Sequence, residues 1–326
     1  MQESNRNTII ALIENGNIKE ENINSVLSLL EIIPSSMAWY NFIDKLLLWF
    51  GGLALAFAMM FFSAYNWSAL THIEKFAIVE GVMFLTIVAY LYVDTQKLLS
   101  KVILMVSSIL VGVLLALVGQ TYQTGADSWQ LFFYWAILIL PFVSIGRFSA
   151  LWIVWIFLLN LSITLYMDTF GRFFGFYLYE ESFALWIMFI FNTLAWSIWE
   201  FSSHRYYWLK SNWAIRLLGV VSIISITWLV LISIVDSKYI FSIFVWIITL
   251  LLLYYIYRVK KIDLFMLSMG AFSFSIVVVN VLIFSISWRH FELLHIFFIG
   301  LVVLALGAGF ASWLKSLQKE LSDERV

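Results

Sequence analysis

An all-α polytopic bundle of about ten transmembrane helices, preceded by a short N-terminal cytoplasmic helical hairpin, is the fold class that this chain predicts. Three observations carry the prediction. The 326 residues are 63% hydrophobic and only 12% charged, with a mean hydropathy of +0.95, whereas roughly a quarter of the residues of a soluble domain are charged. The apolar residues gather into ten runs, most of them reaching the ~17–25 residues that a bilayer-spanning helix needs. The lysines and arginines are distributed unevenly among the loops between those runs, in the alternation that orients helices in a membrane.

Residues 1–40 are the soluble-looking part. Apolar residues recur at helical spacing from Ile9 to Ile13 and from Ile23 to Ile33, with the Asn15-Gly16 turn signal between them. Asn17 followed by Glu20 has the spacing of a capping box, and Pro34 closes the second run. This N-terminus lacks a basic region, apolar core and cleavage site in series, so the first span is expected to act as its own insertion signal.

The transmembrane part, residues 41–314, holds apolar runs near 43–65, 75–93, 102–118, 130–146, 148–167, 182–200, 214–235, 239–257, 264–287 and 292–313, and residues 315–326 form a tail. Pro141 lies near the end of the fourth and shortest run. With the N-terminus in the cytoplasm, fifteen cations fall on the inner side and four on the outer: Lys75, Arg172, Lys238 and Arg289. The expected location is therefore a bacterial inner membrane, crossed several times, with both termini cytoplasmic.

The net charge of -1 offers nothing to nucleic acid, and the absence of cysteine excludes disulfides, thiolate nucleophiles and Cys-bound metal centres. No Ser-His-Asp spacing, phosphate-cradling glycine loop or HExxH pattern is present. No cofactor is expected. Glu292 and His295 are spaced i, i+3, with His290 nearby, but a chain with four histidines lacks the repeated carboxylate–histidine pairs of a di-metal bundle. These residues read as a polar helix start, with no metal.

Ionisable groups inside a span normally face the bundle interior or a water-filled cavity. Glu80 lies five residues into the second run; Asn160 and Asn280 lie toward the outer ends of the fifth and ninth; His295 is near the outer end of the tenth. A carboxylate in apolar surroundings either takes up a proton or finds a partner, and Lys75 is the nearest cation in sequence. Glu200, beside His204 and Arg205, reads instead as a solvated boundary residue.

The twelve residues "GQTYQTGADSWQ" from Gly119 to Gln130 are polar and free of cations between two apolar runs. Together with Glu80 they predict a cavity open to the outer face, with Glu80 as its most buried charge. Its polar contacts are Glu80, Gln120, Tyr122, Gln123, Asp127, Trp129, Asn160, Asn280 and His295. A tight interhelical connector accounts for the same stretch. In the tenth run Ala305, Ala308, Gly309 and Ser312 form small-xxx-small pairs, suited to close packing in the bundle or to a dimer.

The segment "FFSAYNW", the "THIEKF" start of the second run and "GQTYQTGADSWQLFFYWAIL" resemble the bacterial membrane family catalogued as domain of unknown function 2157. The likeness is best over residues 1 to about 165. It implies a bacterial inner-membrane protein and marks the outer stretch as a family hallmark, with no activity to carry over. Three functions fit these readings: transport or handling of a lipid, glycan or small solute; a non-catalytic membrane subunit or scaffold of an envelope complex; and, with least motif support, an intramembrane transferase using Glu80 or His295. Membrane lipids are expected partners, together with a second copy or another membrane protein, and no nucleic acid.

Overall fold

A computed structural model describes residues 12–13, 34–65, 70–170, 172–173, 176–177, 181–236, 240–285 and 293–323. Among these residues, ten helices are long and apolar enough to cross a membrane, so the all-α class holds. They are α1 (Ser36–Tyr65), α2 (His72–Tyr92), α3 (Leu98–Tyr122), α4 (Ser128–Gly146), α5 (Ser149–Phe170), α6 (Glu181–Ser203), α7 (Asn212–Asp236), α8 (Ile240–Tyr254), α9 (Leu264–Ser285) and α10 (Leu293–Asp323). A two-residue antiparallel ladder, β1 (Arg172–Phe173) with β2 (Phe176–Tyr177), lies between α5 and α6. The predicted hairpin of residues 1–40 falls largely outside the described residues, as do His290 and Glu292.

Helix ends follow local chemistry. Thr71 and Glu74 close a capping box at the start of α2: the Glu74 carboxylate accepts the Thr71 amide N–H at 2.7 Å, and Thr71 Oγ1 accepts the Glu74 amide at 3.4 Å. Asp94 accepts the Gln96 amide at 3.0 Å and turns the chain into α3. Arg147, in the left-handed region at φ 45°, ends α4 and reverses the chain into α5. The helices outrun their apolar cores, because intrahelical bonding satisfies the backbone on either side of the headgroup boundary. Residues 315–323 therefore continue α10.

The chain forms two compact units, Met1–Tyr122 and Gln123–Val326. In the first, α3 packs against both α1 and α2. Val102, Val106 and Leu110 of α3 enclose Ala56 of α1, while Val113 and Leu117 enclose Val79 of α2. A Cβ placed on Gly52 would collide with Val102, so glycine is what allows α1 to approach this closely. Ser107 donates to Thr86 at 2.9 Å between α3 and α2.

In the second unit α7 is the central helix, touching α6, α8 and α9. One core cluster forms around Trp196, Leu218, Tyr257 and Met266; another forms around Phe189, Ile226, Val230 and Trp246. Side-chain hydroxyls knit the same helices: Thr193 with Ser222 (2.5 Å), Thr227 with Ser273 (2.6 Å), and Ser233 with Ser242 (2.5 Å). Lipid removes the hydrophobic drive for helix association, so small side chains and such bonds supply much of the specificity, at ~0.6 kcal/mol per bond on average. The small residues Ala305, Ala308, Gly309 and Ser312 of α10 are all exposed, so of the two uses that the sequence suggested, close packing in the bundle or a dimer, they do not show the first.

Candidate functional site

In the first unit Glu80 is exposed on α2, whereas Lys75, five residues earlier, is 3% exposed. The sequence reading of Glu80 as the most buried charge is therefore corrected. Helical phase explains the difference: Lys75 and Val79 share the stripe of α2 that is buried, and Glu80 lies next to that stripe rather than in it. Glu80 takes part in no hydrogen bond or ion pair among the described residues. Phe76, one turn before Glu80 and on its side of the helix, meets the ring of Tyr122 at 6.0 Å. Glu80 and Tyr122 thus flank one aromatic contact at the end of α2 and α3, beside an exposed Gln120.

The polar stretch 119–130 is mostly helix. Gly119 to Tyr122 complete α3 and Ser128 to Gln130 open α4, leaving 123–127 as the connection. Gln123 and Gly125 adopt positive φ (44° and 62°), which tightens the turn. Gln123 is exposed; Asp127, at the N-cap position of α4, makes no capping bond with its side chain. Its carboxylate instead accepts the Trp129 indole N–H at 3.4 Å.

Trp129 is half-buried and packs edge-on against Tyr166 (5.0 Å) and Phe170 (6.2 Å) of α5. Its carbonyl accepts Ser162 Oγ at 3.1 Å. Trp129 therefore joins α4 to α5. Asn160 bonds to Asn192 of α6, and each amide also reaches a carbonyl of its own helix. Asn280 has a buried Oδ1 with no hydrogen-bond partner among the described residues. His295 is half-buried in the first turn of α10.

The candidate residues thus divide between the units: Glu80, Gln120 and Tyr122 belong to the first, and Gln123, Asp127, Trp129, Asn160, Asn280 and His295 to the second. They also divide by commitment. Asp127, Trp129 and Asn160 are engaged in bonds that hold α4, α5 and α6. Glu80, Gln120 and Gln123 expose their side chains.

A polar network that sequence reasoning missed lies at the opposite end of the second unit. After α8 the helix widens into a π turn, Tyr255–Lys260, a rare geometry that occurs frequently at functional sites. Tyr257, 1% exposed, stacks parallel on Trp196 (6.0 Å between centroids, 2° between planes). Its hydroxyl accepts the Trp196 indole N–H at 3.0 Å and donates to Glu200 at 3.1 Å. Lys261 donates to the other Glu200 oxygen at 2.9 Å. Glu200, with its side chain only 19% exposed, is therefore an engaged acceptor rather than the solvated boundary residue expected.

Beside this network Asp263, 7% exposed, accepts the amides of Phe265 (3.0 Å) and Met266 (3.3 Å) with one oxygen and Arg216 Nε (3.0 Å) with the other. It caps α9 and ties it to α7 at once. The sequence signal was present in Asp263, an N-cap residue type directly before an apolar run. Tyr257 had no such signal, because its partners are 57 and 61 residues away.

Fold and composition define the class: a polytopic α-helical membrane protein. Residues 11–152 match the family described as "Predicted membrane protein (DUF2157)", so the resemblance stated from the sequence is shown over α1 to α4 and the start of α5. No curated protein and no solved structure matches the chain.

Proposed function

We propose that the protein is a bacterial inner-membrane component, with both termini in the cytoplasm, that handles an amphiphile or small solute at its outer side. The orientation rests on the fifteen-to-four partition of cations. The observation that carries the function is Glu80: a carboxylate on the surface of a spanning helix, without a partner among the described residues. Such a group is expensive against hydrocarbon, so its position supports a water-filled or ligand-filled space beside α2. Gln120, exposed near the end of α3, supplies an uncommitted amide at the same predicted level.

The chain has no cysteine, which makes the test direct. In Glu80→Cys, a membrane-impermeant charged thiol reagent added from outside is expected to react, since the thiolate must meet water. A variant that stays folded and unreactive, while Asp127→Cys reacts from the same side, overturns the reading.

A second reading is a membrane subunit that binds another protein. It is favoured by α10, whose most apolar window contributes no buried residue and whose small-residue face is exposed. On that reading, Glu80→Cys reacts in the purified protein and is shielded in native membranes.

A further inference from the structure

Between α8, α9 and α10 runs a groove of about 370 Å³, separate from the Glu80 region and unused by the function proposed above. Its floor is Gly270 and Ala271 of α9; the missing side chain of Gly270 lets α8 approach α9 closely here, since a Cβ on it would meet Leu253 at 3.0 Å. One wall is aromatic. Phe274 stacks on Trp246 behind it and meets Phe310 edge-on at 6.1 Å, and Phe310 in turn meets Trp313 at 6.5 Å. The facing wall is aliphatic, from α8.

One end of the groove is different. There Tyr254 and Trp313 stack at 6.2 Å with 23° between their planes. Neither the Tyr254 hydroxyl nor the Trp313 indole N–H forms a hydrogen bond among the described residues. One turn further, Arg258 of the π segment donates to Glu320 of α10 at 2.7 Å. With the buried Leu317, that ion pair clasps the end of α10 to the bundle.

We infer that this groove is the seat of one acyl chain of a membrane glycerolipid, whose ester oxygens accept hydrogen bonds from Tyr254 and Trp313. An apolar length ending in two uncommitted donors matches an amphiphile with a hydrocarbon tail and a polar linkage. Tyrosine and tryptophan are the side chains that bridge these two environments at a membrane boundary. A flexible chain fills the groove along its length. The clasp beyond fixes α10 at this end of the groove, while Ile296 to Phe298 near its start are exposed.

The test uses the full chain in phosphatidylcholine vesicles containing a phosphatidylcholine with a diazirine midway along one acyl chain. After photolysis, adducts are mapped by peptide mass spectrometry. Adducts at Gly270 to Phe274 and Phe310 to Trp313 are expected at threefold or more the level at Ile296 to Phe298, which are exposed on the free half of α10 and meet bulk lipid. Gly270→Leu should lower the groove signal severalfold and leave the Phe297 signal unchanged; Ala271→Leu serves the same purpose if the first variant does not fold. Tyr254→Phe combined with Trp313→Phe keeps an aromatic ring at each position, removes both donors, and should reduce the enrichment about twofold. Equal labelling of the groove and the free half in the unsubstituted protein overturns the inference without reference to any variant. So does the absence of groove adducts, as when a second copy or the chain's own residues 1–33 occupy the space. Enrichment that the filling substitutions leave intact overturns it as well, and enrichment indifferent to the loss of both donors overturns the assignment of the ester end.

Discussion

Asn160 of α5 and Asn192 of α6 bond to each other in both directions: each side-chain amide donates to the other's carbonyl oxygen, at 3.2 and 2.6 Å. Each also donates to the backbone carbonyl four residues earlier in its own helix, Ile156 and Met188. All four side-chain N–H groups of the pair are thereby engaged, which is how two amides reside in a span without water.

Removing either member leaves the other with part of its donors and acceptor unmet. Asn160→Ala and Asn192→Ala should each lower stability by about 1 kcal/mol, and the double variant should cost less than their sum by ~0.6 kcal/mol. Denaturant unfolding of the four proteins in one detergent gives the coupling. Strict additivity means that the two amides do not support each other.

Asp263 performs two jobs with two oxygens, and substitution separates them. Asp263→Ala removes the cap of α9 and the counter-charge of Arg216, and should cost about 2 kcal/mol or more. Asp263→Asn keeps an acceptor for the Phe265 and Met266 amides and should cost less. Thermal unfolding is expected to rank the unsubstituted protein, the Asn variant and the Ala variant in descending order.

Tyr257→Phe keeps the stack on Trp196 and deletes the hydroxyl between Trp196 and Glu200. The buried indole N–H then lacks its acceptor, a loss of roughly 1–3 kcal/mol. Trp196→Phe made on top of it should add little beyond its own loss of ring area, since the bond is already gone. Melting temperatures of the single and double variants decide this.

Gly52 admits α1 to within touching distance of α3, where the obstructing atoms belong to the branched Val102 rather than to a flexible chain end. Gly52→Ala should therefore destabilise the first unit by about 1–3 kcal/mol. Gly51→Ala, whose added Cβ meets nothing within 4 Å, is the matched control and should be neutral or slightly stabilising. Equal effects of the two would show that α1 does not pack on α3 through Gly52.

Orientation has its own test. Cysteines placed singly at Asp127 and Lys260 should react with an impermeant thiol reagent from opposite sides of the membrane, the former from outside. Reaction of both from the same face would falsify the proposed threading.

Much of the architecture was legible in the chain because spanning a membrane imposes a length and a composition on each helix, and both are local. All ten runs were found from hydropathy. The candidate site was less legible. Glu80 was correctly placed in a span, but its facing was misjudged, because a helix that is apolar all round has no polar face to set its phase. Residues 119–130 looked like one loop because polar residues also end helices, and only 123–127 stand outside them.

By itself the sequence determined the class of fold, the number of spans and the positions of several helix ends, since each follows from a stretch of neighbouring residues. Tertiary structure alone decided which polar residues are spent on holding helices together and which remain open. It paired Asn160 with Asn192, brought Tyr257 between Trp196 and Glu200, and left a groove over Gly270 between three helices. Those outcomes depend on the rotation of each helix about its axis and on contacts between residues tens of positions apart. In a lipid-spanning chain, where nearly every residue is apolar, the hydrophobic pattern that reveals such rotations in a soluble helix is absent.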